Sequence, residues 1–153
     1  MKTLVAYFSA TNTTKRVAKE LSARLGCDLY EIKPTEPYTD ADLNWMDKQS
    51  RSSLEMKDKS SRPAIVTGDV DLSPYDRILI GYPVWWYTAP TVINTFLEAY
   101  DFSGKEIILW ATSGGSGLGR AKDDLAKSTT ATIKNGAILN TAAQLESFLK
   151  EID

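Results

Sequence analysis

After Tyr7 an apolar run gives way to Phe8-Ser9-Ala10-Thr11-Asn12-Thr13-Thr14-Lys15-Arg16-Val17, where hydroxyl side chains crowd together and a helical pattern begins. The stretch reads as a strand, a tight loop and a helix N-terminus. At such a junction the first backbone N–H groups of the helix have no intrahelical partner and the dipole is positive, so an anion meets donors already in place. Ser9, Thr11, Thr13 and Thr14 add hydroxyl donors. A phosphate monoester suits this cup, with three acceptor oxygens and about two negative charges. The plainer alternative is a well-capped helix, with Lys15 and Arg16 on a solvated face rather than drawing phosphate in.

Two other stretches are unusual in composition. Pro83-Val84-Trp85-Trp86-Tyr87-Thr88-Ala89-Pro90 offers flat apolar faces, and Thr112-Ser113-Gly114-Gly115-Ser116-Gly117-Leu118-Gly119 lets backbone groups come close to a ligand. Adjacent residues on an extended backbone point opposite ways, so one of Trp85 and Trp86 is expected to pack and the other to face ligand. Competing motifs fail. Gly114 and Gly119 have P-loop spacing, but Arg120-Ala121 replaces the lysine and hydroxyl residue that hold phosphate and magnesium. Gly114-Gly115-Ser116-Gly117-Leu118 lacks the last glycine of a nucleophile elbow. Asp123 and Asp124 are neighbours on an expected helix and diverge, as a solvated face does.

The elements that must position these loops follow from pattern. Residues 3–8 form a run suited to a strand buried on both faces. Val17, Leu21 and Leu25 recur on one helix face, and Gly26 supplies its stop. Residues 27–32 read as a second strand, with Cys27 as a small core residue rather than a reactive thiol. The polar stretch 34–63 is expected to carry one irregular helix over 39–56, anchored by Leu43, Met46 and Leu54. Tyr38 and Trp45 within it either lie over a ligand or pin the excursion to the core. Residues 64–66 read as a short extended piece, 77–82 and 105–111 as strands, and 130–133 as the last strand, with Asn135-Gly136 as a turn. One helix is expected at Pro90 with Val92, Ile93, Phe96, Leu97 and Tyr100, another with Leu118, Ala121 and Leu125. The final helix opens on the capping box Thr141-Ala142-Ala143-Gln144.

Strands alternating with helices imply an α/β fold: one domain over 1–153 built on a doubly wound, five-stranded parallel sheet of order 2-1-3-4-5, with helices on both faces. In that order the three unusual loops meet at one end of the sheet.

Composition narrows the chemistry. The 153 residues contain no histidine and a single cysteine, so no histidine-based triad, familiar zinc site or internal disulfide is available. Demanding chemistry would come from a cofactor. Net charge of -2 and a pI near 5.2 argue against nucleic-acid binding and give no one-sign field for steering a partner. No signal peptide or membrane-spanning run is expected, and one cysteine fits a reducing cytoplasm.

A ligand that uses a phosphate cup, flat apolar faces and a glycine loop is a phosphorylated aromatic heterocycle, of which flavin mononucleotide (FMN) is the obvious member. Here the sequence resembles the flavodoxin family, across essentially its whole length. Ser9-x-Thr11-x-x-Thr14 resembles that family's phosphate loop, and Gly81-Tyr82-Pro83-Val84-Trp85 and Thr112-Ser113-Gly114-Gly115-Ser116-Gly117 resemble the two loops around its flavin ring. The resemblance implies that Ser9, Thr11, Asn12, Thr13 and Thr14 take the phosphate. It places Pro83, Val84, Trp85, Trp86 and Tyr87 beside the isoalloxazine. Thr112, Ser113, Gly114, Gly115, Ser116 and Gly117 would contact its other edge or the ribityl chain.

The chain departs from the family where Ala10 and Asn12 replace common glycines; asparagine tolerates positive φ better than most residues. It departs again in the glycine-free Val84-Trp85-Trp86-Tyr87, where family members flip a peptide on flavin reduction. The resemblance implies an electron carrier between a reductase and an acceptor protein. The missing glycine and the aromatic loop keep open an oxidoreductase passing electrons from NAD(P)H to a quinone or similar small molecule. A non-redox interaction scaffold is the remaining reading.

Overall fold

Thr3–Tyr7, strand β1, is buried at every residue, as the apolar run after Thr3 requires. The computed structural model describes residues 2–152. After β1 come helix α1 (Asn12–Leu25), β2 (Asp28–Glu31), α2 (Arg51–Lys57), β3 (Arg77–Pro83) and α3 (Thr91–Ala99). Then follow β4 (Glu106–Thr112), α4 (Ala121–Ala126), β5 (Thr132–Ile138) and α5 (Ala142–Ile152). The strands form one parallel sheet of order β2-β1-β3-β4-β5, the order expected from the alternation of elements. Val5 lies opposite both Leu29 and Leu79, and Leu79 opposite Ile108.

The two-residue alternation of β1 divides the core. Leu4, Ala6 and Phe8 face a cluster that includes Val92, Ile93, Phe96, Ala121 and Leu125, so α3 and α4 cover that side. Val5 and Tyr7 face Ala18, Leu21, Leu145, Phe148 and Leu149 of α1 and α5. Helix ends follow their sequence signals. Gly26 adopts φ 63°, and the N–H groups of Gly26 and Cys27 cap Ala23 and Ser22 carbonyls. The Gln144 N–H donates to Thr141 Oγ1 (3.2 Å), while Gln144 Oε1 accepts from the Thr141 N–H (2.9 Å), completing the capping box. Cys27 is half-buried against the α1 and α5 side, and burial above all pushes its thiol pKa up. Among the described residues no helix is long and apolar enough to cross a membrane.

Three expectations are corrected. The helix over 39–56 is confined to Arg51–Lys57, and Met46 and Leu54 are exposed rather than anchoring it. Short polar side chains take the backbone into turns instead: Asp42 Oδ2 accepts from Thr39 N–H, Asn44 Oδ1 from Met46 N–H and Asp47 Oδ1 from Gln49 N–H. Asn135-Gly136 is no turn but lies within β5, where Leu109 pairs with Asn135 and Trp110 with Ala137, leaving Gly136 in a bulge. A Cβ on Gly136 would stand 2.4 Å from the Leu109 carbonyl oxygen, so glycine is there for close approach. Leu118 precedes α4, which starts only at Ala121. Residues 64–66 are extended as expected, with Ile65 bridged antiparallel to Pro34.

Of the two glycines within the sheet, Gly81 has the closer neighbour. A Cβ there would fall 2.0 Å from the buried Trp110 ring, which is tethered by its Nε1–H to the Leu79 carbonyl (3.2 Å). Gly81→Ala is expected to lower unfolding free energy by about 2–3 kcal/mol, the usual cost of overpacking. Urea midpoints at constant slope measure this; a loss below about 0.5 kcal/mol would mean that the indole moves freely aside.

Candidate functional site

In a parallel sheet every strand delivers its following loop to the same end, and β1 lies directly beside β3 with β2 and β4 outside them. That is the topological switch point, where the chain leaves on opposite faces and a crevice opens. The three compositionally unusual loops follow β1, β3 and β4 and end up there.

The first loop carries Ser9, Thr11, Asn12, Thr13 and Thr14. Ser9 Oγ accepts the Lys15 N–H (3.2 Å) and donates back to the Thr11 carbonyl, which closes the loop on itself. Thr11 occupies the cap position of α1 without a side-chain capping bond, and the first turn contains no acidic residue. The backbone N–H groups of Asn12, Thr13 and Thr14 have no acceptor among the described residues. Thr11, Asn12 and Thr13 are exposed. Thr14 instead turns inward, and its hydroxyl meets that of Thr112 at 2.8 Å in a buried contact joining the first loop to β4.

The second loop is a tight hairpin. Trp85 and Thr88 exchange backbone hydrogen bonds of 3.0 and 3.1 Å, and the two residues between them, Trp86 (φ 48°) and Tyr87 (φ 63°), both adopt left-handed backbone. A turn of this kind favours Asn-Gly, so two bulky aromatics place roughly 1–3 kcal/mol of strain at each residue. Contacts from the α4 side hold it. The Arg120 N–H donates to the Tyr87 carbonyl (3.0 Å), and Thr88 Oγ1 donates to Asp124 Oδ2 (2.6 Å). Gly119, at φ 58°, makes room: a Cβ there would lie 2.0 Å from the Tyr87 carbonyl oxygen.

The third loop is organised by Ser113 and Asn140. Ser113 Oγ accepts N–H groups of Gly115 (3.2 Å) and Ser116 (2.9 Å), and Asn140 clamps the Ser113 backbone through both its N–H (2.9 Å) and carbonyl (2.8 Å). Gly114, Gly115 and Gly117 look onto open space.

Together the second and third loops line a cavity of about 650 Å³ with Val84, Trp85, Trp86, Tyr87, Ser113, Gly114, Gly115 and Ser116, and Trp45 from the 34–63 excursion completes it. That volume is in the range of cofactor pockets. Pro83, Thr112 and Gly117 flank the cavity in sequence without lining it. The first loop lies outside it too, linked through the Thr14–Thr112 contact. Trp85 and Trp86 sit on a turn rather than an extended strand. Trp85 packs edge-on against Phe8 and Tyr38, with ring centroids 5.7 and 5.5 Å away, whereas Trp86 is 40% exposed; both line the cavity.

The two aromatics of the excursion divide the roles expected of them. Tyr38 pins it to the core: its hydroxyl donates to Glu55, and the Arg51 guanidinium lies 3.8 Å over its ring while bonding Glu55 Oε2 at 3.0 Å. Burial foremost, then the Glu55 bond, push the Tyr38 pKa far up, so it stays a neutral donor. Trp45 is 71% exposed and borders the cavity instead. Sequence reading missed Asn140 and met Gly119 and Arg120 only as parts of a failed P-loop; all three act on backbone groups of other residues. Their only signals were an asparagine ahead of a capping box and a glycine just before a helix.

The flavodoxin family model matches residues 2–152. A candidate flavoprotein of Bacteroides eggerthii is 47% identical at a TM-score of 0.91, over 99% of this chain and 97% of that one. Its counterpart from Bacteroides uniformis is 45% identical at 0.84, over 97% of each chain. A flavoprotein of Lactobacillus acidophilus, solved in complex with FMN, is 24% identical at 0.71 over 97% and 98%, a likeness of fold. No curated protein matches the sequence.

Gly119→Ala is expected to push the Tyr87 carbonyl off its Arg120 bond, changing the near-ultraviolet circular dichroism of the aromatic turn and lowering stability by about 2 kcal/mol. An unaltered aromatic signal would show that the turn keeps its shape without that close approach.

Proposed function

The chain belongs to the flavodoxin family, and on that footing we propose that it binds FMN and carries electrons between redox proteins. The observation carrying this reading is the union of an open helix N-terminus with an aromatic cavity of about 650 Å³ at the switch point. When bound, the flavin supplies reversible uptake and release of electrons, which the side chains here do not.

The residues present fit that cofactor. Three unsatisfied N–H groups, at Asn12, Thr13 and Thr14, sit in a helical turn free of carboxylates. With the exposed hydroxyls of Thr11 and Thr13 nearby, they would hold the phosphate, while the Ser9 hydroxyl closes the loop on the Thr11 carbonyl and that of Thr14 is paired with Thr112. Pro83, Val84, Trp85, Trp86 and Tyr87 would border the isoalloxazine and exclude water from one side of it. Open backbone at Gly114, Gly115 and Gly117, steadied by Ser113 and Asn140, leaves room for polar ring edges or the ribityl chain alongside Thr112 and Ser116.

A second reading, an FMN-dependent oxidoreductase passing electrons from NAD(P)H to a quinone or similar small molecule, is favoured by one observation. Trp45, Trp86 and Tyr87 are 71%, 40% and 65% exposed at the cavity, offering faces on which a planar substrate could stack.

Fluorescence titration of the purified protein is expected to give binding of FMN at least about 100-fold tighter than of riboflavin, since even two of the charge-assisted hydrogen bonds assigned to the phosphate imply that much. Thr13→Asp is expected to weaken FMN binding at least about tenfold while stabilising the apoprotein by about 0.3–1 kcal/mol, because a carboxylate suits the helix N-terminus but repels phosphate. Equal affinities for FMN and riboflavin would refute the phosphate assignment. The holoprotein is expected to pass electrons from a flavodoxin reductase to cytochrome c; direct oxidation of NAD(P)H with quinone turnover would establish the second reading instead.

A further inference from the structure

A smaller cleft of about 90 Å³ adjoins the aromatic cavity and shares Trp86 with it. Its apolar lining is Met56, Trp86 and Ala89; its cations are Lys59, Arg62, Arg120 and Lys127. Arg62 is neutralised by Glu98, both of whose oxygens lie 3.0 Å from its Nε. Lys59, Arg120 and Lys127 form no ion pair among the described residues. Against these three positive charges the cleft sets one carboxylate, Asp124, already engaged by the Thr88 hydroxyl. An excess of positive charge therefore sits beside the cavity in a chain whose net charge is -2.

The cofactor reading leaves Lys59 and Lys127 unused, while the Arg120 guanidinium donates to the Trp86 carbonyl at 3.4 Å. The phosphate is assigned to the loop after β1, whereas the cleft is built from the turn after α2, the start of α3 and the α4 segment. The cleft is too small for an aromatic ring with its substituents but admits a carboxylate, and the exposed Lys59 and Lys127 extend the positive field around it. We infer that this cleft docks a carboxylate side chain of an acidic redox partner, seating that partner against Trp86 at the edge of the flavin site. The inference rests on the carrier reading and adds the charge of the partner to it. Complementary charge at the exit point acts chiefly on the rate of encounter and on the choice of partner.

The test uses FMN-loaded protein, reduced anaerobically and mixed with four oxidants: acidic plastocyanin, basic cytochrome c, ferricyanide and hexaammineruthenium(III). In the double variant Lys59→Glu with Lys127→Glu, the rate to plastocyanin at low ionic strength is expected to fall about tenfold and that to cytochrome c to rise. FMN affinity is expected to stay the same. Lys59→Gln with Lys127→Gln is expected to give an intermediate loss, and near-ultraviolet dichroism checks that both variants keep the fold. Unchanged protein rates would overturn the inference. So would a loss confined to ferricyanide, because the cleft would then serve a small anion, and so would weakened FMN binding, because the cations would then belong to the cofactor. A wild-type protein that takes up no FMN overturns the carrier reading itself, a failure recognised before any oxidant is added.

Discussion

The parallel pairing of β1 with β3, Val5 opposite Leu79 and Tyr7 opposite Gly81, is the constraint on which the rest of the structure depends. With β2 placed outside β1, the chain leaves β1 towards one face and β3 towards the other, and the crevice between those exits cannot close. Beside that pairing, the missing side chain of Gly81 leaves room for the Trp110 indole, which is tethered to the Leu79 carbonyl. The Thr14–Thr112 hydroxyl pair then fixes the start of α1 to β4, so that helix end and the cavity keep a set separation. In a buried setting each hydroxyl of that pair needs the other, because an unpaired one costs roughly 1–3 kcal/mol.

The aromatic turn shows how such a scaffold carries local strain. Left-handed backbone at Trp86 and Tyr87 is unfavourable in isolation, yet the hairpin bonds of Trp85 and Thr88, the Arg120 N–H and the Asp124 carboxylate determine it from several sides. The two aromatics are therefore held out at the cavity rather than collapsed into the core, where rings of that size would otherwise be drawn.

Much of this was legible in the sequence because buried strands and amphipathic helices have periods that survive without tertiary knowledge. The five strands, their order and the gathering of three unusual loops followed from the apolar runs and from the connections parallel strands permit. The 39–50 stretch was misread because Leu43 and Met46, with Leu54 beyond, imitate a helical stripe, while Asp42, Asn44 and Asp47 capture the backbone one turn at a time, a local competition that no periodicity reveals. Gly136 was misread because asparagine-glycine signals a hairpin only when no third element needs the space; here the Leu109 carbonyl and the Phe148 ring do. Asn140 escaped notice, and Gly119 and Arg120 were weighed only as parts of a failed P-loop, because all three act on distant backbone, and backbone carries no side-chain signature.

Charge was the least legible property of all. A net charge of -2 reads as a featureless field, but the field at a site is set by neighbours within about a Debye length, roughly 8–10 Å. The start of α1 has no carboxylate in its first turn, and the cleft beside Trp86 holds three uncompensated cations against one acid. The excursion supplies charge of its own, yet Arg51 binds Glu55 and stands 3.9 Å from Asp42, so much of it is spent internally on fixing Tyr38. At these two places the local charge is thus more positive than the composition implies. An anionic cofactor and an acidic partner would meet the same field there from two directions, the first at a helix end, the second at lysine side chains.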